Sequence, residues 1–156
     1  MAAKVKPVPE GYPTLTPYLI IRNAAAAIEF YQVAFGAAER MRMDAPGGAI
    51  GHAELLIGGS LLMLADEMPE MGYSGPEAVG GTPVSLMLYV GDVDAVVERA
   101  VAAGATLSRP VADQFYGDRS GTVIDPFGHV WTIATHVEDV PPDEMRRRAA
   151  ALAGPA

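Results

Sequence analysis

The sequence has no cysteine. Disulfides, thiolate metal sites and cysteine nucleophiles are thereby excluded. Bases are scarce beside acids: 11 Lys and Arg against 19 Asp and Glu leave a formal charge of −8. A nucleic-acid binder carries the opposite balance. No apolar run reaches the roughly 18 residues that span a bilayer. The opening stretch, MAAKVKPVPEGYPT, has two lysines but no apolar segment behind them. It does not read as a signal peptide, so the cytoplasm is the expected compartment, with no membrane or nucleic-acid partner. Long Gly/Ser tracts are missing as well, which argues against a flexible linker. What is present is globular: 50% hydrophobic and 19% charged residues in a chain of 156. That length suits about one domain with a real core. Seventeen glycines and 13 prolines imply many turns.

Residues 1–13 read as a loose arm, because Pro7, Pro9 and Pro13 oppose regular structure. Thr16–Arg22 is a strand candidate with Pro17 near its start. Asn23 offers an N-cap, Ala27, Ile28, Tyr31, Ala34 and Phe35 recur at helical spacing, and Gly36 supplies the stop. Strands are expected over 38–44, 49–57 and 60–66, the last two joined at Gly58-Gly59. Residues 67–82 lose all periodicity and read as a long connecting loop. The pattern then returns: a strand over 83–90, a helix capped by Asp92 and stopped by Gly104, and strands over 106–112, 118–124 and 129–136. A final run, Pro142–Arg148, places acids before bases, which suits a short helix and its dipole.

The second half therefore repeats the first. Gly36 and Gly104 stand 68 residues apart, and the same offset lays Tyr18–Ile21 on Leu86–Tyr89 and Ala27-Ile28 on Ala95-Val96. An offset of 69 lays Gly59–Leu64 on Gly128–Ile133. The expected class is α+β, with a first β-α-β-β-β module over 14–66, a second over 83–136, and a C-terminal helix and tail over 137–156.

Three phrases carry a family resemblance: Ala27-Ile-Glu-Phe-Tyr-Gln-Val-Ala-Phe-Gly-Ala37, Ile50-Gly-His-Ala-Glu-Leu55, and Gly117-Asp-Arg-Ser-Gly-Thr-Val-Ile-Asp-Pro-Phe-Gly-His-Val-Trp131. With the repeat, they resemble the vicinal oxygen chelate superfamily, the glyoxalase, bleomycin-resistance and extradiol-dioxygenase group, in its glyoxalase-like branch. The resemblance covers about residues 14–136. It implies two modules pairing into a curved, partly closed mixed sheet with helices outside. One fold hosts many chemistries, so function has to come from the site.

In the metal-dependent members, the resemblance implies a His or Gln about seven residues before the acid opening each helix. It also implies a Glu about three after the His of the last phrase. Those positions fall here on Ser85 and Thr132, and by the internal offsets on Pro17 and Met63. Proline has no ligating side chain, methionine is too soft for hard ions, and hydroxyls are weak ligands. One slip of register gives Tyr18, Leu64, Leu86 and Ile133; the other gives Thr16, Leu62, Val84 and Trp131. Neither restores a site, so no metal and no other cofactor is expected.

The remaining polar candidates are few. His52 and Glu54 are two apart on a strand and share a face. They form either an acid–base pair or ligand clip, or simply the polar side of that strand. A metal would need further ligands, and only His136 or Asp66 is in reach as a candidate. Arg119 is expected to pair with Asp118 or Asp125, with an anionic ligand as the alternative. Met63, Met87, Tyr89, Phe115, Tyr116, Arg119 and Thr132 are the candidate ligand-binding residues. Methionine lines irregular apolar pockets, although it also merely fills cores. Arginines 146–148 read as a solvated helix end.

The leading expectation is a metal-free, small-molecule-binding protein holding an apolar, aromatic or cationic ligand in a cavity between modules. The alternative is a lyase- or isomerase-type enzyme using His52 and Glu54, with or without a divalent metal. A regulatory dimer with no ligand is the third reading. A homodimer is expected in each case, because half-sheets have edges that need covering.

Overall fold

The computed structural model describes residues 5–154. Residues 1–4 of the expected arm and 155–156 of the tail lie outside the described residues. The chain divides into two compact units, one ending at Val79 and the other beginning at Gly80.

The first unit runs β1 (Tyr18–Ile21), α1 (Ala24–Phe35), β2 (Ala38–Asp44), β3 (Ile50–Ile57) and β4 (Ser60–Asp66). Its sheet has the order β1-β4-β3-β2, with β1 parallel to β4 and the other pairs antiparallel. Pro17 sits just ahead of β1, and its carbonyl accepts from the Met63 amide at 3.0 Å. Asn23 caps α1 by accepting from Ala26 N at 3.3 Å. The apolar stripe of α1, Ala27, Ile28, Tyr31, Ala34 and Phe35, is buried together with Leu19, Ile21, Ala53, Leu55, Leu62 and Leu64 of the sheet. Each large apolar side chain so buried is worth about 1.5–3 kcal/mol. Asp66 ties the end of β4 into this layer: its two oxygens accept from Ala24 N at 2.8 Å and Ile50 N at 2.7 Å.

The second unit repeats the order with β5 (Ser85–Tyr89), α3 (Val93–Ala102), β6 (Thr106–Asp113), β7 (Asp118–Ile124) and β8 (Val130–His136). Its sheet runs β5-β8-β7-β6. Asp92 caps α3 through Ala95 N at 3.1 Å. Buried Asp125 organises the turn before β8, accepting from Phe127 N, His129 N and the Trp131 indole N–H at 3.0, 2.9 and 2.9 Å. The Asp-Pro-Phe-Gly-His-Val-Trp phrase is thus a hydrogen-bonded clasp, and Trp131 lies in the core as the alternation of the strand requires.

Four expectations need correction. The connecting segment is not a plain loop: it holds a 3-10 turn at Pro69–Met71, a Met68–Tyr73 bridge and a one-turn helix, α2 (Pro76–Val79). Glu67 ties it together by accepting from Gly75 N at 2.7 Å. The C-terminal helix, α4 (Pro142–Ala153), outruns Arg148 because Ala149–Ala153 are strong helix formers. Arg148 is not a solvated end. It bonds Glu138 at 2.7 and 2.9 Å, Glu144 at 2.9 Å and the Phe115 carbonyl at 3.3 Å.

The fourth correction concerns the repeat. Tyr18 pairs with Met63 and Met87 with Thr132, and the N-caps are Asn23 and Asp92. The first strand and helix therefore superpose at an offset of 69, so Tyr18 matches Met87, not Leu86. The one-residue difference is absorbed at the helix ends. α1 stops on left-handed Gly36, while α3 ends on right-handed Ala103 ahead of Gly104. Among the described residues no helix is long and apolar enough to cross a membrane.

Candidate functional site

Helix α1 covers one side of the first sheet. Across the other side runs a row of cross-strand neighbours: Met41 of β2, Glu54 of β3, Met63 of β4 and Tyr18 of β1. Tyr18, Met41, Met43 and Leu56 are exposed there. Glu54, in their midst, is only 3% exposed.

A buried carboxylate needs partners, and Glu54 has three. The Tyr12 hydroxyl, reaching in from the arm, lies 3.1 and 3.0 Å from its two oxygens. His52 Nε2 lies 3.1 Å from Oε1. Arg40, stacked over the Tyr12 ring at 4.6 Å, stands 3.9 Å from Oε2. Carboxylate oxygens only accept, so His52 Nε2 carries the hydrogen. In the neutral imidazole Nδ1 is then an acceptor, and the Tyr18 hydroxyl donates to it at 2.8 Å. The result is one chain of hydrogen bonds, Tyr18–His52–Glu54–Tyr12. Burial pushes the Tyr18 phenol above its ordinary pKa, with Tyr73 and Glu54 adding to the effect. The hydrogen bond to Glu54 does the same for Tyr12.

The corresponding row of the second sheet is Arg109, Thr122, Thr132 and Met87. It borders a cavity of about 230 Å³ whose lining includes Arg109, Gln114, Tyr116, Ser120, Thr122 and Thr132. Thr122 and Thr132 hydroxyls are 3.3 Å apart. At the end of this sheet buried Asp118 accepts from the Tyr89 hydroxyl at 2.7 Å and meets His136 Nδ1 at 2.8 Å. His136 Nε2 meets Asp139 at 2.9 Å. Asp139, then Asp118, raise the His136 pKa.

The sequence candidates are thus dispersed. His52, Glu54 and Met63 meet on the first sheet, while Met87, Thr132 and Tyr89 share the open side of the second. Tyr116 borders the cavity, and Phe115 lies against α4 in a separate groove with Pro142 and Met145. Arg119 is on the helix side of β7 and pairs with neither expected acid: Asp94 of α3 takes it at 2.8 Å and Asp113 at 3.1 Å. Strand alternation turns Arg119 away from Asp118, its sequence neighbour. Tyr12 and Arg40 are not among the sequence candidates, and Tyr18 enters there only as a position reached by a slip of register. Tyr12 and Glu54 are 42 residues apart, so no local pattern announces their pairing.

The donor set does not suit a divalent metal. With the corrected register, the first-half counterpart of Ser85 is Thr16, and Met63 and Thr132 complete the set. Asp66 spends both oxygens on backbone amides, and His136 is taken up by Asp118 and Asp139. Among the described residues no group of three or more His, Asp or Glu side chains converges in a way that could hold a metal ion.

Comparison with known proteins places this architecture. The chain is 47% identical over 137 residues to the uncharacterized protein Rv0887c of Mycobacterium tuberculosis, covering 86% of this chain and 81% of that one. Among solved structures, TioX from Micromonospora sp. ML1 superposes with a TM-score of 0.64 at 28% identity, over 81% of this chain and all of that one. A gene product of Arabidopsis thaliana gives 0.64 at 29% identity, over 79% and 98%. The sequence signature of the Glyoxalase/Bleomycin resistance protein/Dioxygenase superfamily matches residues 14–133. The two β-α-β-β-β modules and this match establish that the chain belongs to that superfamily.

Proposed function

We propose that the protein binds a small apolar, aromatic or cationic molecule without a metal ion, on the open side of its first sheet. The observation carrying this reading is the exposed apolar cluster of Tyr18, Met41, Met43 and Leu56 around buried Glu54. Methionine side chains adapt to irregular ligands, and the ring face of exposed Tyr18 attracts a cation. The net charge of −8 raises the local concentration of cations, within a screening length of about 8 Å at physiological salt. Two copies pair in this proposal, since edge strand β2 is exposed along its whole length and edges recruit partners. The absence of cysteine suits a reducing cytoplasm.

The test is a thermal-shift panel of planar aromatic cations, neutral aromatics and phosphate dianions. The aromatic and cationic probes should stabilise the protein, by about 2.7 kcal/mol at a hundred times Kd, and Met63→Lys should abolish the shift. Best stabilisation by dianions, lost in Arg109→Ala, would move the site to the second-module cavity and overturn the reading. Elemental analysis of untagged protein tests the metal: near-stoichiometric zinc, nickel, manganese or iron that survives dialysis, and is lost in His52→Ala, would overturn metal independence. Light scattering at micromolar concentration should report a mass near twice 16.3 kDa.

A further inference from the structure

The Tyr18–His52–Glu54 chain has the order of a catalytic relay: a hydroxyl at the surface, an imidazole behind it and a carboxylate behind that. The separations are 2.8 Å from the Tyr18 hydroxyl to Nδ1 and 3.1 Å from Nε2 to Glu54. Hydroxyl, base and orienting group within hydrogen-bond reach are the geometric signature of an activated oxygen. Exposure runs the same way. Tyr18 is 47% exposed, the His52 side chain 23% and the Glu54 side chain 4%. A ligand lying on the open side of the sheet would meet the phenol first, and the imidazole only through it.

Two features go beyond what packing needs. Glu54 is already held by Tyr12 and Arg40, so His52 is not required to satisfy it. An exposed tyrosine hydroxyl can also be satisfied by water, yet this one is directed onto the nitrogen that Glu54 makes basic. Glu54 acts here as a positioning residue. It fixes the tautomer and would stabilise an imidazolium, as the carboxylate of a hydrolytic triad does.

We propose that Tyr18, His52 and Glu54 form a metal-independent proton relay acting on an aromatic or apolar carbon acid, a molecule with a C–H bond acidified by a neighbouring carbonyl or heteroaromatic ring. The proposal rests on the binding reading above and adds a reaction to it. In the step, the C–H bond of the ligand breaks and its proton joins the Tyr18 oxygen. The phenolic proton passes to His52 Nδ1. The C–H electron pair stays on the ligand, either as an enolate or as the new π bond formed while a β-leaving group departs with its own bonding pair. His52 becomes an imidazolium hydrogen-bonded to the Glu54 carboxylate. Reversal at a neighbouring atom returns the proton and completes an isomerisation, so no oxidant, reductant or metal is consumed. The phenol remains neutral between turnovers, in keeping with its raised pKa.

The test uses 5-nitrobenzisoxazole, a planar aromatic carbon acid. Loss of its ring C–H proton forms the nitrile as the N–O bond breaks, releasing a coloured cyanonitrophenolate. Positioned bases accelerate proton transfer by about 10²–10⁴. The wild-type full-length chain should turn the probe over at a rate that saturates with its concentration. His52→Gln and Tyr18→Phe should each lower that rate tenfold or more while the fold is kept, each giving up hydrogen bonds of side chains that are at least partly exposed. Glu54→Gln should shift the pH profile of the rate, which a merely structural role would not do. Equal rates in wild type and His52→Gln overturn the proposal. A faster Tyr18→Phe with a slow His52→Gln also overturns the relay, because His52 would then be acting directly. Saturable binding without turnover overturns the relay and leaves the binding reading standing; neither binding nor turnover overturns both.

Discussion

In the first module, Met41, Glu54, Met63 and Tyr18 cross the open side of the sheet; in the second, the same four places hold Arg109, Thr122, Thr132 and Met87. The strand order and pairing are alike, but the charge has moved. In the first sheet a carboxylate sits at the centre of the row and draws in a tyrosine from the arm, a histidine and an arginine. In the second, the centre is two hydroxyls. The buried carboxylate, Asp118, has shifted to the sheet end, where Tyr89 and His136 hold it. Backbone register follows from apolar alternation, which both modules keep. The open side is free of that constraint, and there the two have diverged.

The largest expected effect tests whether the second module depends on its buried acid clasp. Asp125→Ala leaves two turn amides and the Trp131 indole N–H without their acceptor. Orphaned buried donors and lost charge-assisted bonds together should cost about 3–5 kcal/mol. Trp131 is the sole tryptophan, so urea unfolding followed by its fluorescence reads this module directly. The matching turn of the first module, Gly58-Gly59, has no such acid. An unchanged midpoint in Asp125→Ala would mean the two turns are equivalent after all.

Glycines extend the comparison at smaller scale. Gly117 has φ 102, and a Cβ there would lie 2.1 Å from the Glu138 carbonyl oxygen. The strand end would have to release the segment leading to α4, giving up the Val137 and Glu138 amide bonds to the Gly117 carbonyl. Gly117→Ala should cost about 2–3 kcal/mol. Gly36 also has a positive φ, but nothing lies within 4 Å of its Cβ position, so Gly36→Ala should cost only about 1 kcal/mol. Equal losses by circular-dichroism melts would show that backbone strain, not the Glu138 contact, dominates at Gly117. Tyr12→Phe falls between them at about 1–2 kcal/mol, since Glu54 keeps His52 and Arg40. A loss below 0.5 kcal/mol would mean the arm is not anchored through this hydroxyl.

These contrasts show what was legible in the sequence. Elements set by local pattern were: both modules, the caps at Asn23 and Asp92, and six strands after the helices follow from alternation, helical spacing and glycine stops. His52 and Glu54 share a face by strand period alone. The partners of those residues were not legible, because Tyr12–Glu54 and Tyr18–His52 join residues 42 and 34 apart, and only the sheet order brings them together. Arg119 misled for the same reason. The nearby acids Asp118 and Asp125 point to other surroundings, while Asp94, in the first turn of α3, reaches Arg119 on β7. The repeat offset misled because Gly36 and Gly104 serve as its ruler, and the two helices end differently at those glycines.

The smallest expected effect concerns His136, the second module's counterpart to His52 as a histidine bound to a buried acid. Both of its nitrogens face carboxylates, Asp118 and Asp139, which accept only, so both hydrogens are present in the imidazolium alone. Tyr89 shares Asp118 and remains neutral beside it. Unfolded, the imidazole titrates near 6.5; folded, Asp139 and then Asp118 raise it. The stabilisation is therefore complete below the unfolded value and disappears as pH rises through the folded one. Deprotonation leaves one N–H, and exposed Asp139 can turn to water while Asp118 keeps Tyr89. The melting advantage of wild type over His136→Gln should accordingly be modest at pH 5.5 and shrink as pH rises above the unfolded value. High salt should weaken it, as for any exposed pair. Following the His136 ring proton by NMR, Asp139→Asn should lower the titration midpoint but leave it above 6.5, because Asp118 remains. An unmoved midpoint would assign the raised value to Asp118 alone, and the pH dependence would then belong to the sheet end and not to the segment leading into α4.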